Sequence, residues 1–232
     1  MRKNLHIILT IFFTFFSFQN LNAGEGDKLT AIELIQLSEL VLKELKKNDD
    51  IVNLDQYISN SRGILIFPNV YEGGLIFGAK GGNGLLLIRT SESEFSGPYF
   101  YTLGGLSVGF QLGVKSGKVA MTIMTNRGLK SILKERIKFG VDIDAAVANE
   151  GVGFSAESTL RLADVYSFSD NSGLFFGGSL EGSYLQPRND LNQAIHGKEF
   201  SASQIIKNKS LHDKASNLVT IISRIEDDSK KQ

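Results

Sequence analysis

The chain of 232 residues has no cysteine, no tryptophan and only three histidines, and its 25 basic side chains are balanced by 25 acidic ones. Without cysteine there is no disulfide, no thiolate nucleophile, no zinc–thiolate site and no N-terminal cysteine to carry a lipid anchor. The zero net charge removes the positive field that a nucleic-acid binder gathers on one face, so no nucleic-acid partner is expected. His6 lies in the apolar N-terminal run, and His196 and His212 sit in a polar C-terminal flank without HxxxH or HExxH spacing. They read as surface residues, and no metal or other cofactor is expected. No GxSxG elbow is present, and Gly177-Gly178-Ser179-Leu180-Glu181-Gly182 is not one. The Gly81-Gly82-Asn83-Gly84 cluster fails as a phosphate loop: a strand-like run follows it instead of a helix, and Lys80 precedes the glycines. There is no internal repeat and no linker, so one domain is expected after the N-terminal segment.

That segment has Arg2 and Lys3 ahead of an apolar run from Leu5 to Phe18, then Leu21-Asn22-Ala23. A charged start, a short apolar stretch and a small-residue exit describe a secretory signal peptide over 1–23, cleaved near Ala23. The run is too short for a comfortable membrane span of about 20 residues. An exported protein, periplasmic or extracellular and not a lipoprotein, is expected.

The 24 glycines fall mostly between Ser61 and Asn189, where they punctuate short runs rich in Ile, Leu, Phe and Val. Such punctuation reads as successive antiparallel strands. Ser61–Pro68 is a strand ending at the proline, Gly74–Gly78 and Gly84–Arg89 are the next two, and 81–84 is the hairpin turn between them. The aromatic stretch Pro98–Leu103 leads into a segment in which Gly105, Ser107, Gly109, Gln111 and Gly113 share one face. That face allows tight curvature or close approach of a ligand. Lys118–Thr125 is a strand and Leu129–Leu133 a short helix; strand-like pieces continue at 139–147, 153–163, 165–169 and 174–185. The fold class is α+β: a Gly-rich, mostly antiparallel sheet core (61–186), barrel-like or double-layered, between helical flanks at 29–59 and 200–226. In the first flank Thr30-Ala31-Ile32-Glu33 has capping-box spacing and a weaker helical segment covers 50–59. In the second, Ser201-Ala202-Ser203-Gln204 has that spacing and Leu211, Ala215, Leu218, Ile222 and Ile225 keep a helical period.

Two sets of side chains are candidates for chemistry. Asp142 and Asp144, two apart on a strand-like segment, could share a face for acid–base work or a cation, with Glu181 as a further carboxylate. Lys43, Lys46 and Lys47 end the first helix, and Arg62, Lys80, Arg89 and Arg127 lie in or beside the sheet core. The lysines complement the helix dipole, and the whole set is the candidate contact with an anionic surface.

The segments SRGILIFP, GGLIFGAKGGNGLLLIR, GGLSVGFQLG, MTIMTNRGLKSIL, FGVDIDAAVA and VYSFSDNSGLFFGGSLEGSYL, in this order, resemble the SYLF domain family. The likeness covers about Leu29 to Ile206. It implies a non-enzymatic module of the kind that binds membrane phosphoinositides and actin in eukaryotic endocytic proteins, here in a secreted bacterial branch. Peripheral binding to anionic phospholipid is the expectation it carries, with an envelope structural or protein-interaction module as the alternative and an unrecognised enzyme as the third. Actin is not expected in this compartment.

Overall fold

The computed structural model describes residues 23–74, 77–108, 114–147, 163–170 and 182–230. The elements run α1 (Ala23–Lys47), α2 (Leu54–Asn60), β1 (Gly63–Gly74), β2 (Phe77–Arg89), β3 (Phe95–Val108), β4 (Val114–Ile123) and α3 (Asn126–Ile132). Then follow β5 (Ile137–Lys138), β6 (Ala145–Val147), β7 (Val165–Ser169), β8 (Tyr184–Pro187), α4 (Asn189–His196), α5 (Ala202–Lys207) and α6 (Ser216–Ser229). The strands form one sheet in the order β5-β8-β3-β2-β1-β4-β7-β6, antiparallel except for β6 beside β7. The two edge strands, β5 and β6, are consecutive in the chain. Phe139 and Ile143 bridge between them, and the Gly140 N–H donates to the Ile143 carbonyl at 3.0 Å. The sheet therefore curls so that this short turn can join its two edges, in line with the barrel-like core expected from the sequence.

Continuous apolar runs, not alternating ones, mark strands buried on both faces. In β1, Ile64 and Ile66 join Leu85, Leu87 and Phe100 in a cluster covered by α1, α2, α4 and α6. Leu65 and Phe67 join Leu86, Tyr99, Tyr101, Leu103, Val119 and Met121 inside the curl. Ile132 of α3 and Ile205 of α5 pack against this inner cluster.

Several boundaries differ from the sequence expectation. The Thr30 box is not a helix start: α1 begins at Ala23, and the Thr30 hydroxyl donates back to the Gly26 carbonyl at 2.9 Å within the helix. Pro68 does not end β1; register shifts between Phe67 and Val70 mark a bulge that carries the strand past the residue lacking an N–H. Residues 81–84 are not a turn. β2 runs straight through them in continuous register with β3, and the β1–β2 connection lies at 75–76. The glycines serve close approach instead. A Cβ on Gly84 would fall against the Ile66 carbonyl oxygen and 2.5 Å from Cδ1 of the Phe67 ring, and one on Gly82 against the Asn69 carbonyl. The C-terminal period is split: Leu211 bridges Gly97, and only the residues after Asp213 are helical. The Ser201 box is present, with the Ser201 N–H donating to Gln204 Oε1 at 2.8 Å. The proposed signal segment, Gly109–Gly113, and the strand-like pieces at 153–162 and 174–181 lie outside the described residues.

Helix α4, ahead of the 200–226 flank, completes β3 where β8 stops. The Asn192 side chain accepts from the Phe100 N–H at 2.8 Å and donates to the Phe100 carbonyl at 3.2 Å, standing in for a neighbouring strand.

Candidate functional site

A cleft of about 520 Å³ lies between α1 and the outer face of the sheet. Its volume is that of a small-molecule site. Gly81 and Gly104, cross-strand partners in β2 and β3, form its floor. The missing side chain of Gly81 leaves the floor open, while the Tyr184 ring takes the space that a Cβ on Gly104 would need. Leu34 and Leu37 of α1 line one wall beside Thr30 and Glu33. Asn69, Tyr71, Asn83 and Thr102 line the other, with Tyr71 54% exposed. The Arg188 guanidinium donates to Asn83 Oδ1 at 2.9 Å and to Asp190 at 2.6 Å, which leaves the Asn83 amide nitrogen facing outward from that bond. Arg136 covers one face of the Tyr184 ring, 4.2 Å from its centroid. The glycine face expected from Gly105 onward is not the face that lines this cleft. Gly105 lies on the inner side beside Lys80, and the glycines of the cleft are Gly81 and Gly104 on the outer side.

Lys80 borders this cleft but points away from it. It alternates in β2 with Leu86 of the inner cluster, and a Cβ on its partner Gly105 would meet Lys80 Cε at 2.9 Å. Inside the curl it stands in register with Glu72, which is in register with Lys115 on β4. Lys80 and Glu72 are both buried. Burial pushes the Lys80 ammonium down in pKa, and the nearby Glu72 carboxylate opposes that shift.

The other cations divide by partner. Lys43 and Lys47 are exposed one helical turn apart on α1, and among the described residues neither has an ion-pair partner. Lys46 is half-buried and pairs with Asp55 of α2 at 3.5 Å. Arg62, exposed just after α2, also has no ion pair among the described residues. Arg89 is turned inward. Its guanidinium donates to Glu226 of α6, to the Ile58 carbonyl at 3.0 Å, to the Ser61 carbonyl at 2.9 Å and to the Glu92 carbonyl at 2.8 Å. Arg127 is clamped by Asp164 at 2.7 Å and Asp144 at 3.2 Å.

The candidate acid pair is not assembled. Asp142 lies in a turn, where its carboxylate accepts from the Lys138 N–H at 2.7 Å, and Asp144 pairs with Arg127. Glu181 is outside the described residues. Among the described residues no group of acidic and histidine side chains is arranged to hold a metal.

The two histidines are not independent surface residues. Their ring centroids lie 6.0 Å apart, and His196 also stacks with Tyr99 and Phe200. His196 Nε2 lies 2.8 Å from the Pro98 carbonyl. Burial pushes its pKa below the ordinary 6.5, with the positive charges of His212 and Lys198 adding to the fall and the Pro98 carbonyl opposing it. The native state thus favours the neutral ring. The stability this group contributes is fully present above its unfolded pKa and is lost as pH falls through about 6.5 toward the lower native value. The expected result is a denaturation midpoint that drops between pH 7.5 and 5 (about the range of histidine titration) in the natural chain and drops less in His196→Gln. Equal slopes in the two proteins would refute the assignment.

A family model described as "Las17-binding protein actin regulator", Ysc84, matches residues 104–225. The SH3 domain-containing YSC84-like protein 1 of Bos taurus is 28% identical over 151 residues, 64% of this chain and 44% of its own length. Its Xenopus laevis counterpart is 26% identical over 165 residues, 70% of this chain and 49% of its own. LAS seventeen-binding protein 3 of Saccharomyces cerevisiae is 24% identical over 180 residues, 73% of this chain and 39% of its own. The chain therefore spans less than half the length of these relatives.

Proposed function

This chain belongs to the Ysc84 (SYLF) family, and from that premise we propose that it is a non-enzymatic module that docks peripherally on anionic phospholipid surfaces. The observation that supports this reading is the set of free cations along the α1–α2 turn. Lys43 and Lys47 share a helix face, Lys46 ties the end of α1 to α2, and α2 leads directly into Arg62. Each basic side chain held near an anionic membrane adds about 1 kcal/mol, so three give weak, salt-sensitive attachment. Arg89 and Arg127, engaged by internal carboxylates, and the inward-pointing Lys80 do not belong to that set. The module works outside the inner membrane after removal of residues 1–23. N-terminal sequencing of the exported protein should read from Gly24, and an intact N-terminus would contradict the export reading.

The test is co-sedimentation of the chain from Gly24 with vesicles. Pelleting is expected with phosphatidylglycerol-containing vesicles and not with pure phosphatidylcholine, and salt should abolish it. Lys43→Gln combined with Lys47→Gln, at about 1 kcal/mol each, should weaken it about thirtyfold. Pelleting indifferent to salt and lipid charge, or none at all, would end the reading.

A second reading, a protein-interaction module, is favoured by a different observation. Leu106, Ala79, Gly73 and Val114 align across β3, β2, β1 and β4 at the end of the sheet. Leu106 is 83% and Val114 78% exposed, an uncharged strip of the kind that protein partners cover. One relative is named for binding Las17. Recovery of one stoichiometric protein by cross-linking, lost in Leu106→Asp, would place this reading first; an unchanged cross-linking pattern in that variant would remove it.

A further inference from the structure

We infer that the cleft between α1 and the glycine floor is a binding site for an uncharged polyhydroxylated ligand, a saccharide. The inference does not rest on the lipid reading, because the cleft and the cations of the α1–α2 turn use different residues.

The chemistry of the lining narrows the ligand class. An anion is disfavoured. The charge inside is the Glu33 carboxylate, Lys80 projects to the other face of the sheet, and Arg188 at the rim is already neutralised by Asp190. An acyl chain is disfavoured as well, since the leucines of the lining are interrupted by the amides of Asn69 and Asn83, the hydroxyls of Thr30 and Thr102 and the Glu33 carboxylate. What the lining offers is a set of planar side-chain donors and acceptors beside aromatic rings. A carboxylate such as Glu33 accepts two hydrogen bonds, and the amides of Asn69 and Asn83 each donate and accept. Groups of this kind match the adjacent hydroxyls of a sugar ring, each of which is both a donor and an acceptor. The Tyr71 ring, more than half exposed on the rim, offers a flat apolar face to the C–H side of such a ring. The absence of a side chain at Gly81 provides the depth, and the bare Gly104 seats the Tyr184 ring beside it.

The experiment uses the chain from Gly24 and records amide and side-chain NMR spectra in two arms. The first adds free glucose, galactose, mannose, N-acetylglucosamine, lactose or maltose at about 50 mM, well above the millimolar dissociation constants of weak sites. The second adds neutral phosphatidylcholine vesicles with and without a galactosyl diacylglycerol. Shifts confined to Glu33, Asn69, Tyr71 and Asn83 in the first arm establish a soluble saccharide. Binding in the second arm alone, dependent on the galactosyl lipid, establishes a glycolipid headgroup. In either case Tyr71→Ala, on an exposed rim residue, should weaken binding about tenfold, and Glu33→Ala should weaken it severalfold. No response in either arm overturns the inference, as does binding that both variants leave unchanged. Neither arm contains anionic lipid, so failure here leaves the lipid reading standing, and failure of that reading leaves this one.

Discussion

Replacing Arg89 by methionine lowers stability by about 3–5 kcal/mol, the cost of stranding a buried carboxylate whose partner has been removed. The abandoned group is Glu226 on α6, whose side chain is 10% exposed, against 11% for Arg89. The same guanidinium also satisfies the Ile58 carbonyl near the end of α2 and the Ser61 carbonyl just beyond it, and it stacks on Phe95 at 4.6 Å. One side chain at the end of β2 thus fastens both helical flanks to the sheet. Against a total stability of about 5–15 kcal/mol for a domain, a loss of this size is visible directly as a shift in the urea midpoint. Adding Glu226→Leu to Arg89→Met should recover much of the loss, because an uncharged pair leaves no orphaned ion. A single-variant loss below about 1 kcal/mol would mean that the carboxylate finds water or another donor, and the buried clamp would have to be abandoned.

The second large effect is at Gly84. An alanine methyl there would occupy the space of the Ile66 carbonyl oxygen and the Phe67 ring, in backbone that belongs to the centre of the sheet. Neither neighbour is the free end of a flexible chain, so β1 and β2 must separate. The expected cost lies at or above the upper end of the 1–3 kcal/mol, roughly, of ordinary overpacking. Gly26 is the control. It lies exposed in α1, and no atom comes within 4 Å of the position a methyl group would take there. Gly26→Ala should therefore stabilise by about 0.5–1 kcal/mol. Thermal or urea midpoints of the two variants should move in opposite directions. If Gly84→Ala is as stable as the natural chain, the close approach of β1 to β2 is not a constraint.

These glycines also show where sequence pattern stops. Period and composition are enough to place a sheet between helices and to make its strands apolar on both faces. They do not distinguish a glycine that turns the chain from one that admits a neighbour. The atoms that occupy the missing Cβ space at Gly82 and Gly84 belong to residues 66–70, and no local window contains both. Arg89 and Glu226 lie 137 positions apart, so their pairing has no sequence signature, and Arg89 reads as one more exposed base. Thr30 and Glu33 have the spacing of a cap yet sit inside a helix, because the residues before them, glycines included, continue the same turn. The cleft was legible only as a surplus of glycine. Its polar lining is drawn from α1, the bulge of β1, and β2 and β3, elements that are far apart in the chain and meet only in the folded sheet.

The strand order sets the size of the unit that can exist by itself. β3 and β4 follow each other in the chain but are held apart in the sheet by β2 and β1. The family match begins at Gly104, near the end of β3, and so leaves out the two central strands. A fragment with those limits would hold two groups of strands with nothing between them to pair with, and would lack Arg89 for its last helix. The indivisible piece therefore reaches back through β1 and β2, and homology drawn from the C-terminal half describes part of a curled sheet whose central strands lie earlier in the chain.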